Sequence, residues 1–285
     1  MPELPEVEVL ARHLRPAILG QTIRGVMVRR AKVLTPTSPR QFRRGVLGAK
    51  FVALSRRGKY LLFKLRPNGG RHPVTLLGHL GMTGRMYLAR KQAPLPKHAA
   101  VVFNLRQANF IYEDTRYFGR LTLDVAPVAK LGPEPLSKNF DEAAFARALK
   151  RSRQAIKVKL LDQTLIAGIG NIYASEALFR ARISPKMSSS KLNARQLGRL
   201  RRAIRDALQE AIACGSTVQL NFGEDRKRDG FFYFGRSADA PDFYEERLWV
   251  YDREGQPCRS CGHPIKRIVQ AARSTFFCPT CQRVV

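Results

Sequence analysis

Acidic residues are scarce in this chain: 22 Asp and Glu stand against 51 Lys and Arg in 285 residues, a formal charge of +29 at pH 7. An excess of that size goes beyond what solubility requires and costs stability through self-repulsion, so it points to a polyanionic partner. Long apolar runs are also missing. No stretch approaches the roughly 18 residues that a membrane-spanning helix needs. The start, Met1-Pro2-Glu3-Leu4-Pro5-Glu6, is acidic where a secretory leader is basic. The expectation is a soluble, cytoplasmic protein with no membrane partner. Internal repeats and low-complexity tracts are absent.

What is present suits a folded nucleic-acid binder. Hydrophobic residues make up 44% of the chain, and its length allows two modest domains with cores of their own. The basic residues are spread along the chain and form no tail, which fits a charged groove on a folded surface. A ribosome-associated protein is the competing reading at this level.

Leu4, Val7, Leu10, Ala11 and Leu14 recur at helical spacing and predict a first helix that Pro16 and Gly20 stop. From Thr22 to Val125 the pattern changes to short β-rich runs: 23–28, 46–54, 60–65, 74–80, 100–105, 110–113 and 121–123. Such strands with turn signals between them predict an antiparallel sandwich. The Pro-rich stretch 127–135 reads as a linker. Helices are predicted beyond it over 141–150, 154–162, 171–181 and 194–213, the last with Asn193 as N-cap. Between the second and third, Gly168-Ile169-Gly170-Asn171 lets the backbone turn tightly before a helix N-terminus, a natural place for a phosphate. Glycines used only for packing a helix hairpin are the other reading.

Cys258-x-x-Cys261 and Cys278-x-x-Cys281 have the spacing of two zinc knuckles. Disulfides are disfavoured by the reducing compartment inferred above. A module this short cannot fold on apolar burial alone, so the zinc would be structural, and four sulfur ligands leave no position for a catalytic water. Lys266, Arg267, Arg273 and Arg283 supply charge for gripping DNA. The remaining cysteine, Cys214, reads as a small buried residue near a helix end.

Pro2 is small enough to permit removal of Met1, which would leave a secondary amine at the chain start. An α-amino group near pKa 7.7 to 8.0 keeps a useful neutral fraction at physiological pH. Attack on a sugar C1′ would give an iminium that acts as an electron sink. Glu3 could protonate the opened sugar and Glu6 organise the site. On residues alone, the simpler reading is that Pro2, Pro5 and the glutamates merely start the first helix.

Together, Pro2 to Glu8, the Gly168 to Glu176 run and the four-cysteine finger resemble the formamidopyrimidine-DNA glycosylase family, whose motifs follow in order along nearly the whole chain. The resemblance implies an α+β protein. An N-terminal helix and antiparallel β-sandwich would occupy 1–130, and a helix-two-turn-helix domain with a lesion-capping loop at 217–244 would occupy 131–250. A β-hairpin zinc finger would occupy 251–285, with damaged double-stranded DNA held in the cleft between domains. It implies Pro2 as nucleophile, Glu3 as general acid/base, Glu6 in support and Lys59 as a phosphate grip. Asn171 and Arg273 would clamp flanking phosphates, Lys157 would lie near the damaged base, and His98 would join the DNA contacts. Met82, Arg116 and Phe118 would fill the space left by a flipped base. Periodicity alone would put Met82 and Phe118 in the core and leave Lys59 and Lys157 solvated.

Two positions depart from the family pattern. Tyr117 stands where a second basic residue is common, so one phosphate contact is expected to be weaker or to come from a hydroxyl. The segment from Thr217 to Tyr244 is longer and more aromatic than the usual capping loop, which puts lesion preference in doubt. The leading expectation is a zinc-containing, monomeric, nucleoid-associated glycosylase and AP lyase acting on oxidised purines. An oxidised-pyrimidine enzyme of the endonuclease VIII kind and a catalytically inactive damaged-DNA binder are the alternatives.

Overall fold

The computed structural model describes residues 2–69, 72–138, 140–215 and 247–283, which fall into two compact units, 2–130 and 131–215 with 247–283. The segment 217–244, expected to cap the lesion, lies outside the described residues.

The first unit begins with α1 (Leu4–Ile18), whose buried face carries Leu4, Val7, Leu10, Ala11, Leu14 and Ile18. The helix runs through Pro16, where the sequence predicts a stop, and ends one turn later at Leu19. A proline so close to the C-terminus removes one N–H of the final turn only, a loss the buried Ile18 offsets. A short helix, α2 (Pro39–Val46), follows the capping-box Ser38 and Gln41. It covers part of what reads as a strand over 46–54, because Phe42 and Val46 at i, i+4 bury one helical face.

The strands are β1 (Gly25–Val28), β2 (Lys50–Arg57), β3 (Tyr60–Arg66), β4 (Val74–His79), β5 (Gly84–Arg90), β6 (Ala99–Asn104), β7 (Ala108–Asp114) and β8 (Arg120–Thr122). They form two antiparallel four-stranded sheets, β1-β6-β7-β5 and β2-β3-β4-β8. The expected sandwich is therefore present. β5 has no counterpart among the predicted strands, because its charged and apolar residues alternate only weakly in sequence. Phe51, Phe63, Phe103 and Phe110 form one ring cluster in the core, with centroids 5.7 to 6.1 Å apart. Each such ring removed from water contributes about 1.5–3 kcal/mol. A short helix, α3 (Ala126–Ala129), begins the predicted linker.

The second unit holds α4 (Glu142–Lys150), α5 (Ile156–Leu160), α6 (Asn171–Arg180) and α7 (Ala194–Ala213). Asn193 caps α7 and accepts from Gln196 N at 2.8 Å, as predicted. The antiparallel hairpin β9 (Lys266–Gln270) and β10 (Arg273–Phe277) completes the unit. Its Phe276 packs with Phe179 of α6 in the cluster that contains Cys258 and Cys278.

Ala271 and Ala272 close this hairpin with φ of 47° and 57°. A two-residue turn with both φ positive favours Asn-Gly, and each alanine there is strained by about 1–2 kcal/mol. Replacing them by Ala271→Asn with Ala272→Gly is expected to stabilise the hairpin by about 1 kcal/mol. A higher denaturation midpoint of the zinc-loaded protein would show it.

Candidate nucleic-acid interface and catalytic residues

Pro2 and Glu3 precede α1 and Glu6 lies in its first turn; all three are buried. Glu6 Oε2 accepts the backbone N–H of Glu3 at 2.7 Å, which fixes residue 3 at the helix start. Two residues on, Glu8 accepts from Arg12 at 2.8 Å and from Arg56 of β2 at 2.9 Å. Burial opposes ionisation, yet the two guanidinium groups hold the Glu8 carboxyl below the usual carboxylate range. Arg56 also donates to the carbonyl of Gly58 at 3.1 Å. A single arginine thus ties the first helix to the β2–β3 turn.

That turn is the two-residue loop Gly58-Lys59 between the paired residues Arg57 and Tyr60. Gly58 has φ of 55°, a conformation suited to the first central position of a hairpin turn. Lys59 is only 7% exposed, so it is not a solvated surface lysine. Beside it, burial and the charges of Lys59 and Arg120 lower the pKa of His79 to about 4. His79 is therefore neutral at physiological pH. Its Nδ1 accepts from Gly81 N at 3.2 Å, which leaves the proton on Nε2.

Gly81 opens the loop that carries Met82, with φ of 59°, and a Cβ there would collide with the Gly119 backbone. The loop of Met82 and the loop of Arg116 and Phe118 therefore lie against each other. Asp114, at the end of β7, binds both. It is fully buried, and it accepts from Thr83 Oγ1 at 2.6 Å, Arg116 N at 3.2 Å, Gly119 N at 2.8 Å and Tyr112 OH at 3.3 Å. Met82 is 45% and Phe118 51% exposed, so neither is a core residue. The Arg116 guanidinium stacks 4.7 Å from the Phe118 ring centroid. Between them Tyr117 has φ of 53°, a strained left-handed position for a residue with a Cβ. Sequence reasoning missed Asp114 and Arg56, because a lone acid at a strand end and one arginine among many carry no local signal.

In the second unit, Gln163 staples the turns between α5 and α6. Its amide donates to the carbonyls of Leu161 and Ile169 and accepts from Gly168 N, all between 2.7 and 3.0 Å. Gly168 takes φ of 88°, and Gly170 caps α6. Lys157 is fully buried, with its Nζ 2.6 Å from Asn171 Oδ1 and 3.2 Å from Thr275 Oγ1. Asn171 Nδ2 donates to Ser274 O at 2.8 Å. Lys157 and Asn171 thus join the helical turn to β10, where the exposed Arg273 leads the strand. Glu176 of α6 is also fully buried and accepts the backbone N–H groups of Trp249, Val250 and Tyr251 at 2.9 to 3.0 Å.

The Sγ atoms of Cys258, Cys261, Cys278 and Cys281 all lie within 4.8 Å of one another, with two pairs at 3.9 and 3.5 Å. Tetrahedral zinc with bonds of about 2.3 Å separates its sulfurs by about 3.8 Å, so the four thiolates fit one structural zinc. Among the described residues, no helix is long and apolar enough to cross a membrane.

Family models of the formamidopyrimidine-DNA glycosylase N-terminal domain, the H2TH domain and the zinc finger found in FPG and IleRS match residues 1–121, 131–221 and 255–284. The formamidopyrimidine-DNA glycosylase of Desulfitobacterium hafniense (strain DSM 10664 / DCB-2) is 42% identical over 290 residues, covering 99% of this chain and 100% of that one. Wild-type Lactococcus lactis Fpg (MutM), solved in complex with N7-benzyl-Fapy-dG containing DNA, has TM-score 0.86 at 34% identity and coverage of 99% and 100%. MutM in complex with carbocyclic 8-oxo-G containing DNA has TM-score 0.86 at 33% identity, with the same coverage. A β-sandwich unit and a helix-two-turn-helix unit with a four-cysteine zinc finger define the class. Within it, the chain belongs to the formamidopyrimidine-DNA glycosylase family.

Asp114→Ala removes the acceptor shared by four donors, of which Arg116 N keeps a second bond to Thr83 Oγ1, and is expected to lower stability by about 2–3 kcal/mol, read as a lower thermal midpoint. Elemental analysis should find one zinc per chain. Stripping it with a chelator is expected to unfold the hairpin while the sandwich stays folded, which amide exchange in the two regions would separate.

Proposed function

We infer that this chain is a DNA glycosylase of base-excision repair that removes oxidised purines from double-stranded DNA and cleaves the resulting abasic site. The observation that carries this reading is the N-terminal constellation. Pro2, Glu3 and Glu6 are buried together at one helix start, tied through Arg56 to the turn of Lys59. The chain that holds them carries +29 charge. The relatives solved with Fapy-dG and 8-oxo-G DNA support the choice of purine lesions.

With Met1 removed, the Pro2 nitrogen attacks C1′ of the damaged nucleotide, and the base departs with the electrons of the glycosidic bond. Glu3 delivers a proton to the opening sugar. The iminium then withdraws electrons as a C2′ proton is lost and the 3′ phosphate leaves, and a second elimination releases the 5′ phosphate. Glu6 keeps Glu3 in place. Lys59 holds a phosphate of the damaged strand, and neutral His79 lets that ammonium lie beside it without repulsion. Met82, Arg116 and Phe118 enter the stack where the base has left. In the second unit Asn171 and Arg273 grip phosphates, and Lys157 acts through Asn171, whose amide it orients. The zinc, when bound, supplies no chemistry and holds the hairpin that presents Arg273. A monomer in the cytoplasm, at the nucleoid, is the setting.

Borohydride trapping on an abasic-site duplex tests the nucleophile. A reduced covalent adduct mapped to Pro2 is expected, together with faster cleavage of 8-oxoguanine than of thymine glycol duplexes. No adduct from a chain confirmed by mass spectrometry to begin at Pro2 would overturn the mechanism.

A further inference from the structure

The strained tyrosine between the wedge residues does not stand alone. Tyr117 OH accepts from Arg30 Nε at 3.1 Å, and the Arg30 guanidinium carbon lies 5.4 Å from the Tyr117 ring centroid. The same hydroxyl is 3.4 Å from Nδ1 of His98. Three side chains from distant parts of the sequence therefore meet at one phenol.

Sheet topology brings them together. In β6, Ala99 pairs with Glu113 and Val101 with Tyr112, so Ala100 is the extra residue of a bulge. The Ala100 carbonyl accepts the N–H groups of both Arg29 and Arg30, which pins the end of β1 beside the start of β6. Arg29 also donates to Pro96 O at 3.1 Å. Two residues before the bulge, the His98 carbonyl accepts from Asp114 N at 3.1 Å, and Asp114 organises the wedge loop that contains Tyr117.

Hydrogen-bond polarity orders the cluster. Arg30 can only donate, so the Tyr117 oxygen accepts its N–H, while Nδ1 of His98 contacts the same oxygen. The guanidinium edge of Arg30 and the far edge of the His98 ring remain around the phenol. Arg30 is exposed, and among the described residues it forms no salt bridge. Among the described residues the one other hydrogen bond of its side chain is a long one, 3.4 Å, to the carbonyl of Arg29.

We propose that Arg30, oriented by Tyr117 and joined by His98, forms a DNA-phosphate site beside the wedge and supplies the cation that the sequence lacks at position 117. Tyr117 is a positioning residue in this site, and the backbone contact comes from the end of β1. The inference rests on the glycosylase reading, since it needs lesion-containing duplex as the ligand.

The test is equilibrium binding of the full zinc-loaded chain to a duplex with a tetrahydrofuran abasic-site analogue, over a salt series. Arg30→Ala is expected to weaken binding and to lower the slope of log affinity against log salt by about 1, the share of one phosphate contact. Tyr117→Phe should lose part of the same effect and add nothing further in the Arg30→Ala background. A normal parent with an unchanged Arg30→Ala affinity and slope would overturn the proposal, as would additive losses from the two substitutions. A parent that does not prefer the lesion duplex to undamaged DNA would instead overturn the glycosylase reading.

Discussion

Buried carboxylates that accept backbone N–H groups hold the functional loops of this protein in place. Glu6 fixes the backbone of Glu3, Asp114 gathers the amides of Arg116 and Gly119, and Glu176 takes three successive amides that lead into the finger. A charge taken out of water is costly unless fully hydrogen-bonded, so each acid rigidly defines the backbone around it. Burial raises the pKa of Glu176 against the pull of its three amides.

The scarcity of acids acquires a structural meaning from these positions. Glu3, Glu6, Asp114 and Glu176 are all at most 1% exposed, so among the described residues four of an already small set of acids are withdrawn from the surface. Basic residues are left to define the outer field. Such a surface repels itself and attracts phosphates, the balance expected of a protein whose ligand is a polyanion. Among the described residues Lys59 and Lys157 are the cations taken inside.

Rigidity and exposure are divided between neighbouring residues. In the loop after β7, Asp114 is buried while Arg116 and Phe118 project outward, and in the finger Thr275 is buried while Arg273 leads the strand into solvent. The strained backbone at Tyr117, Ala271 and Ala272 falls in these same two projecting turns. Positive φ at residues with a Cβ persists only where surrounding bonds over-determine the turn, as the Asp114 bonds do around Tyr117.

The zinc site was legible in the sequence because its ligands are one residue type at short spacing, and the four sulfurs of the two Cys-x-x-Cys knuckles do meet. The proline and glutamates of the first helix and the Gly168 to Asn171 turn are also local patterns, and they stand at a helix start and before a helix N-terminus as their spacing predicts. Secondary structure was legible where one face is strongly apolar, as in α7, and less so for α2 and β5. What only the tertiary structure decided are the contacts between residues far apart in the chain: Arg56 with Glu8, Asp114 with Thr83, Lys157 with Thr275, and Arg30 with Tyr117 and His98. Spacing along a strand or helix sets which side chains share a face, but sheet order and the bulge at Ala100 set which faces meet. A charged residue's role follows from that meeting, since burial and partners determine whether it is solvated, paired or left to bind a phosphate.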